Sequence, residues 1–361
     1  MKIEGPPRNP KDRVILWTAI FVAILLLMIP AGIMSQDSGL TQANLQGILW
    51  FQGIREATGG ALDGFFSAVT ELGIPLEISI FMAIVYWCVS REAGMLMLLS
   101  NYWGGLGSDF LKTTFHVYRG FTISDKVTPV ASAVRVPLGY SFPSGHAFNG
   151  VTTYGVGGMA AKGRSRLLAF ALLTVAVLIA VSRVYCGVHF PGDIIVGALM
   201  GVVVVGWMRR LLAYVDARPD DRTLTRRREL LVALAFVALA VAIFIYGAVF
   251  PYPEDLALLD ITKQHPDSSI NGSSCMATAF TMIGCSVGWL MARRQESFTT
   301  ETSLPHKLLR LAVGVPVVWF LQSKVMYLIP GGLGRLLGFG PRPHWLRGVH
   351  PRALAQNLHG L

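Results

Sequence analysis

The sequence predicts an all-α polytopic membrane protein, and three observations carry that expectation. Of the 361 residues, 53% are hydrophobic and 14% charged, whereas a soluble domain carries about a quarter charged residues. Apolar runs of roughly 18 or more residues recur along the chain, the length a helix needs to cross the hydrocarbon layer. The alternation in pieces of about 10 residues that marks a membrane-spanning strand barrel is absent.

The formal net charge is +10. The arginines cluster in short loops beside apolar runs, so membrane topology and anionic headgroups explain them. No nucleic-acid motif accompanies them, and no nucleic-acid partner is expected. The four cysteines, Cys88, Cys186, Cys275 and Cys285, form no CxxC pair and no zinc spacing. Cys88 and Cys285 fall in apolar runs and read as small packing residues. Cys186 and Cys275 share the outer side in the topology below, so a disulfide is open to them, although spacing cannot establish proximity.

Residues 1–13 are polar and basic. Val14 to Met34 is the first apolar span. A basic start before an apolar run also describes a signal peptide, but this run is longer than a usual signal core and reads as an uncleaved helix. Gln36 to Gly73 is mixed, with Trp50, Phe51, Phe65 and Phe66 among polar residues, and suggests one or two short interfacial helices. The second span is about Ile74 to Val89 and the third about Gly94 to Phe115. Asp109 and Lys112 in the third are three apart and can pair on one helix face. Residues 116–144 read as a polar loop with Arg119, Asp125, Lys126 and Arg135. The fourth span runs from His146 to about Ala161 and the fifth from about Leu167 to Val181. A turn from Ser182 to Gly192 leads to Asp193, which opens a sixth span ending near Trp207.

Arg209, Arg210, Arg218, Arg222, Arg226, Arg227 and Arg228 follow, the strongest cytoplasmic marker in the chain. Later spans are about Leu230 to Phe250, Cys275 to Met291 and Leu309 to Ile329. The last contains Lys324, which can snorkel. The tail carries His344, His350 and His359 without metal-ligand spacing. It also carries Arg335, Arg342, Arg347 and Arg352, which fit an outer location poorly.

With the N-terminus inside, three polar pieces fall on one outer face. They hold Lys112 and Arg119, then Ser144-Gly145-His146, then Arg183, His189 and Asp193. Three cations at one point need an anion, and phosphate is the usual match for arginine forks and a lysine point charge. Ser144 and Gly145 begin a helix, where backbone N–H groups and the positive end of the dipole face an oxyanion. Glycine there lets it come close. His189 has Asp193 four residues on. The carboxylate can take the Nδ1–H and leave Nε2 free to attack phosphorus. His146 can protonate the leaving alkoxide and later activate water. The three cations would stabilise the equatorial oxygens, so no metal and no cofactor is expected.

Blander readings exist for each residue alone. A histidine at a helix start is most often structural, Asp193 after Pro191-Gly192 makes a normal helix cap, and Lys112 or Arg183 can anchor an interface. Their joint occurrence, in order and on one face, favours a single site.

These residues resemble the type 2 phosphatidic acid phosphatase superfamily, which includes glucose-6-phosphatase and vanadium haloperoxidases. Its pattern is Lys-x6-Arg-Pro, Pro-Ser-Gly-His and Ser-Arg-x5-His-x3-Asp. Here Lys112-x6-Arg119 is followed by Gly120 in place of proline. Pro143-Ser144-Gly145-His146 and Ser182-Arg183-x5-His189-x3-Asp193 are complete. The resemblance covers about residues 60–210. It implies a six-helix phosphatase core, a phosphohistidine mechanism, independence from divalent metal and a lipid phosphate substrate. Gly120 would loosen the backbone after Arg119.

The expected organisation is an N-terminal transmembrane helix with an interfacial segment (1–58), the phosphatase core (59–212), about three additional C-terminal transmembrane helices (213–330) and a basic tail (331–361). The expected catalytic residues are His189, His146 and Asp193. The expected phosphate-binding residues are Lys112, Arg119, Ser144, Gly145 and Arg183. The expected location is a bacterial inner membrane with the N-terminus cytoplasmic and the site outside. The alternatives are a lipid phosphotransferase and a non-catalytic transporter or scaffold that binds lipid phosphate.

Overall fold

The computed structural model describes residues 18–19, 23, 33, 38–134, 140–217, 220–249, 268–295 and 297–322. The expected first span, Arg135, the 251–267 loop, Lys324 and the tail with its histidines lie wholly or largely outside them. Every regular element among the described residues is helical. Among the described residues three helices are long and apolar enough to cross a membrane, and a bent helix pair forms a further candidate span. The protein is an integral membrane protein with several long apolar helices.

The chain enters through α1 (Ser38–Ala57) and α2 (Asp63–Glu71). It bends by 58° into α3 (Pro75–Cys88), where Pro75 sits at the first helical position, which costs no hydrogen bond. Then comes α4 (Arg91–Phe115), capped by Ser90, whose side chain accepts from the Ala93 N–H. A short α5 (Gly120–Ile123) and a 3₁₀ turn (Ala131–Val134) follow. Next are α6 (Gly145–Gly150), a π-helical turn (Val151–Gly155) and α7 (Val156–Ala161), then α8 (Arg166–Tyr185), α9 (Pro191–Val215), α10 (Arg222–Val249), α11 (Ser268–Arg294) and α12 (Leu304–Phe320).

The central helix is α4, whose apolar face carries Leu96, Met97, Leu99, Trp103 and Leu106 into the main core. It packs against α3, α9 and α11. α10 and α11 pair with each other, and Trp103 stacks on Phe236 of α10. α12 reaches the bundle through α3, and its Leu308, Leu309, Val313 and Val317 stay exposed. Outward leucines and isoleucines on α8, α9 and α10 match lipid-facing surface.

Several expectations need correction. α1 is one 20-residue helix and is docked rather than merely interfacial. Ile48 on it is fully buried, Asn44 Oδ1 takes the Gly192 N–H at 3.0 Å, and Gln52 and Arg55 bind the backbone of Lys126 and Thr128. Trp50 remains largely exposed, in keeping with an anchoring role. The polar-looking loop after Phe115 is folded inward, because its scattered Val117, Val127, Val130, Tyr140 and Phe142 are buried. α8 runs on to Tyr185, so Ser182 and Arg183 stand on a helix rather than in a turn. α9 begins at Pro191 and continues to Val215, beyond the expected end. Asp109 accepts from Thr278 on α11, while Lys112 donates to two backbone carbonyls, so the two partners expected of one another are taken elsewhere. Cys88, Cys186 and Cys285 are free thiols, and the Cys275 side chain lies outside the description.

Candidate active site

The site forms where the C-terminal end of α4, the starts of α6 and α9, and the end of α8 meet. Lys112 is in the last turn of α4. Its Nζ donates to the carbonyl oxygens of Tyr140 at 2.7 Å and Ser141 at 3.3 Å, so the lysine pins the segment leading into α6. Arg119 is buried and donates through Nη1 to the Val188 carbonyl. The backbone therefore ties the first and third polar pieces together.

Gly120, where the motif departs from its pattern, is packed rather than loose. A Cβ there would come within 2.7 Å of Ile48 Cδ1 and 3.4 Å of Phe190 Cε1. The missing side chain lets α1 close onto this corner, and Arg119 is held in place by that packing.

His189 follows α8 in a turn where Gly187 takes a φ of +72°, a backbone conformation that glycine adopts without strain. Its Nδ1 lies 3.2 Å from Asp193 Oδ2. The same oxygen takes the Phe190 N–H at 3.0 Å and the Ser141 hydroxyl. Asp193, the third residue of α9, thus reaches back to cap its helix and also holds the imidazole. Asp193 is not the N-cap expected of it, since Phe190 holds that position, and its carboxylate serves both the Phe190 amide and the His189 ring. A carboxylate that accepts from His189 Nδ1–H leaves Nε2 as the free nitrogen.

Burial holds the His189 pKa well below the ordinary histidine value, and the positive charges of Arg119, Arg183 and Lys112 add to it, with His146. These four groups are therefore near enough to act on one imidazole. Burial and then Arg183 press Arg119 downward too, yet a guanidinium stays charged at neutral pH.

Ser144 caps α6 and its hydroxyl accepts from the Ala147 N–H at 3.4 Å. Its own N–H donates to the Asp193 carbonyl at 3.0 Å. Of the two amides expected to face an oxyanion, that of Ser144 is therefore used to dock α6 on α9. The Gly145 amide has no partner among the described residues, nor does that of His146. A Cβ on Gly145 would meet nothing within 4 Å.

Arg183 is 3% exposed and donates through Nη1 to Thr70 Oγ1 at 2.6 Å, while its buried Nε has no partner among the described residues. The buried His146 Nε2 is likewise without one. Ser182 turns its hydroxyl back to the Ile179 carbonyl at 2.7 Å and serves its own helix.

All eight expected site residues gather here. Ser141 and Thr70 were missed by the sequence reading. Ser141 sits just before the Pro-Ser-Gly-His run, which is a weak signal. Thr70 gave no signal at all. Among the described residues no group of three His, Cys, Asp or Glu could hold a metal. A cavity of about 390 Å³ lies at the far end of the bundle, lined by Arg91, Leu96, Arg209, Asp216, Trp289 and Arg293. It is separate from the site, because α4 puts about 30 Å between Arg91 and Lys112 at ~1.5 Å per residue.

Residues 93–217 match the PAP2 superfamily. This stretch is similar to the type 2 phosphatidic acid phosphatase superfamily. It spans α4 to α9 and contains all the expected site residues. The chain is 24% identical over 296 residues to lipid phosphate phosphatase delta of Arabidopsis thaliana, covering 74% of this chain and 63% of that protein. It is 27% identical to the lipid A 4'-phosphatase of Porphyromonas gingivalis, over 44% of this chain and 69% of the relative. It is 29% identical to the undecaprenyl-diphosphatase of Sulfolobus acidocaldarius, over 42% and 59%. A crystal structure of a transmembrane PAP2 type phosphatidylglycerolphosphate phosphatase from Bacillus subtilis is similar at 22% identity and a TM-score of 0.42, over 52% of this chain and 93% of that one.

Proposed function

We propose that this protein is a membrane lipid phosphate phosphatase that works through a phosphohistidine. One observation carries the reading. Around His189 stand two buried side-chain nitrogens with nothing to bind among the described residues, Arg183 Nε and His146 Nε2, and beside them the unpaired amides of Gly145 and His146, which are half-buried. Lys112 and Arg119 stand beside them. Each buried ion costs several kcal/mol in desolvation, and Asp193, the nearby carboxylate, is committed to His189, Ser141 and Phe190. A phosphoryl group supplies the missing negative charge and acceptors.

In the reaction, the phosphate lies among Lys112, Arg119, Arg183 and the Gly145 amide, with Ser144 setting that amide by closing the helix. His189 Nε2 forms a bond to phosphorus as the bond to the lipid oxygen breaks, and Asp193 stabilises the imidazolium. His146 gives its proton to the leaving alkoxide. Water then attacks the phosphohistidine, His146 takes the proton, and inorganic phosphate leaves. The cations and amide dipoles act where a metal otherwise would. Suitable substrates are phosphatidic acid, phosphatidylglycerophosphate, an isoprenoid diphosphate or a sphingoid phosphate.

The finer architecture belongs to the same proposal. It comprises a six-helix core over residues 59–212, a preceding helix and interfacial segment, about three further spans over 213–330 and a basic tail. The site faces outward from a bacterial inner membrane, with the N-terminus cytoplasmic. Arg209 and Arg210 near the end of α9, and Arg222, Arg226 and Arg227 at the start of α10, support this sidedness, since α9 begins beside His189 and these follow at its opposite end.

The test is phosphate release from a panel of lipid phosphates by the purified full chain. Release should persist in EDTA and be blocked by vanadate. A strict magnesium requirement would sink the mechanism. Lipid phosphate binding without release would favour a transporter or scaffold, and transfer to an added alcohol a phosphotransferase.

A further inference from the structure

The α2–α3 bend lies outside residues 93–217 and holds none of the motif residues. It nevertheless touches two of them. Thr70, near the end of α2, accepts the Arg183 Nη1 hydrogen bond at 2.6 Å, and both residues are buried at 3% exposure. At Gly73, inside the bend, a Cβ would stand 2.8 Å from His146 Cδ2 and 2.8 Å from Ile179 Cγ2. Real Cβ atoms do not approach that closely, so the imidazole lies where only a glycine leaves room.

The bend is itself held by the helix that carries His146. Asn149 Nδ2 donates to the Gly73 carbonyl at 3.0 Å, and Tyr154 Oη donates to the Leu72 carbonyl at 3.0 Å. Asn101 of α4 reaches Asn149 Oδ1 at 3.3 Å and Thr152 Oγ1 at 2.9 Å. A buried polar network thus connects the bend to α4 and to the π-helical turn. Such turns recur at functional sites. The Leu72 and Gly73 carbonyls thus each find a side chain from the segment whose orientation matters.

We propose that the α2–α3 bend is a positioning element of the phosphoryl-transfer site. Thr70 fixes the plane of the Arg183 guanidinium so that its remaining donors face the phosphate. Gly73 fixes the His146 ring so that Nε2 faces the leaving oxygen. Both statements rest on the phosphatase reading. Neither residue touches the substrate. They act through Arg183 and His146, as outer hydrogen-bond partners act on the groups they orient.

The experiment uses the purified full chain with two probes, dioctanoyl phosphatidic acid and p-nitrophenyl phosphate, the second of which has a leaving group that needs no proton. Thr70→Val should lower kcat/KM on the lipid about 10- to 100-fold, with Tm within a few degrees of wild type. Thr70→Ser, which keeps the acceptor, should restore most of the loss. Gly73→Ala should cut turnover of the alkyl ester far more than that of the aryl ester, because a displaced acid matters only where a proton is needed. Wild-type kcat/KM in Thr70→Val, or no rescue by serine, overturns the Thr70 role. Equal losses on both esters in Gly73→Ala overturn the Gly73 role. If Gly73→Ala does not fold, the Thr70 pair of variants decides. An inactive wild type removes the phosphatase reading and this inference with it, whereas an active wild type with insensitive variants removes the inference alone.

Discussion

The two ends of the bundle both carry arginines and use them in opposite ways. At the far end Arg293 pairs with Asp216 and with Glu229 at 2.7 Å, and Arg91 donates to the carbonyls of Ala292 and Gln295. Arg293 ties α11 to α10 and to the residue that follows α9, its charge answered by two carboxylates, while Arg91 ties α4 to the end of α11. At the other end Arg183 binds a neutral hydroxyl, Arg119 and Lys112 donate to backbone carbonyls, and the carboxylate among them is occupied by a histidine. The difference teaches that the number of arginines marks nothing. A buried donor with no partner among the described residues, as Arg183 Nε is, supports the proposed anion site, because the protein tolerates that cost only where something else meets it.

The sharpest break in the comparison is at His189. His189→Ala should reduce phosphate release at least ~1,000-fold, since no other group replaces the nucleophile, while the protein still folds. Retained release would remove the site assignment. Next come the arginines as a matched pair. Arg183→Gln should lower kcat/KM about 100- to 1,000-fold with no loss of thermal stability, because it removes a buried, poorly answered charge. Arg293→Gln should do the reverse, leaving kcat unchanged and costing about 1 kcal/mol of stability. If the two variants show the same profile, the contrast between the ends is wrong.

A smaller effect is expected at Gly145. Its missing Cβ meets nothing in the protein, so Gly145→Ala should keep or slightly raise Tm. A methyl group beside the phosphate should still raise KM several-fold. A drop in Tm with unchanged KM would move the glycine from the site to the scaffold.

The smallest effect concerns pH. Folding depresses the His189 pKa, so below about 6.5 the unfolded chain binds a proton that the folded chain refuses. Stability contributed by the neutral imidazole is present above that pH and is lost as pH falls through the depressed value. Tm measured between pH 7.5 and 5 should therefore fall less in His189→Asn than in the wild type. Parallel curves would show that His189 does not titrate in this way.

Much of the site was legible because its chemistry is local in sequence. His189 and Asp193 lie four apart, and a turn into a helix brings such residues together. The cap at Ser144 is equally local. The Ser144 amide was misjudged because its partner, the Asp193 carbonyl, lies far along the chain. Gly120 was read as slack for the same reason, since Ile48 and Phe190 fill its space from other elements. Thr70 and Gly73 gave no signal, because an ordinary threonine and a glycine acquire their roles from what stands across from them.

By itself the sequence determined the helical membrane class, the presence of long apolar helices, and the set of residues proposed to hold and cleave a phosphate. Hydropathy and short-range spacing fix those properties, and neither depends on distant contacts. Tertiary packing alone decided which donors were spent and which were spared. It placed Ser141 on Asp193, Thr70 on Arg183 and Gly73 under His146, because a hydrogen bond or a close approach depends on two segments arriving at one point, and no single segment encodes where its partner arrives.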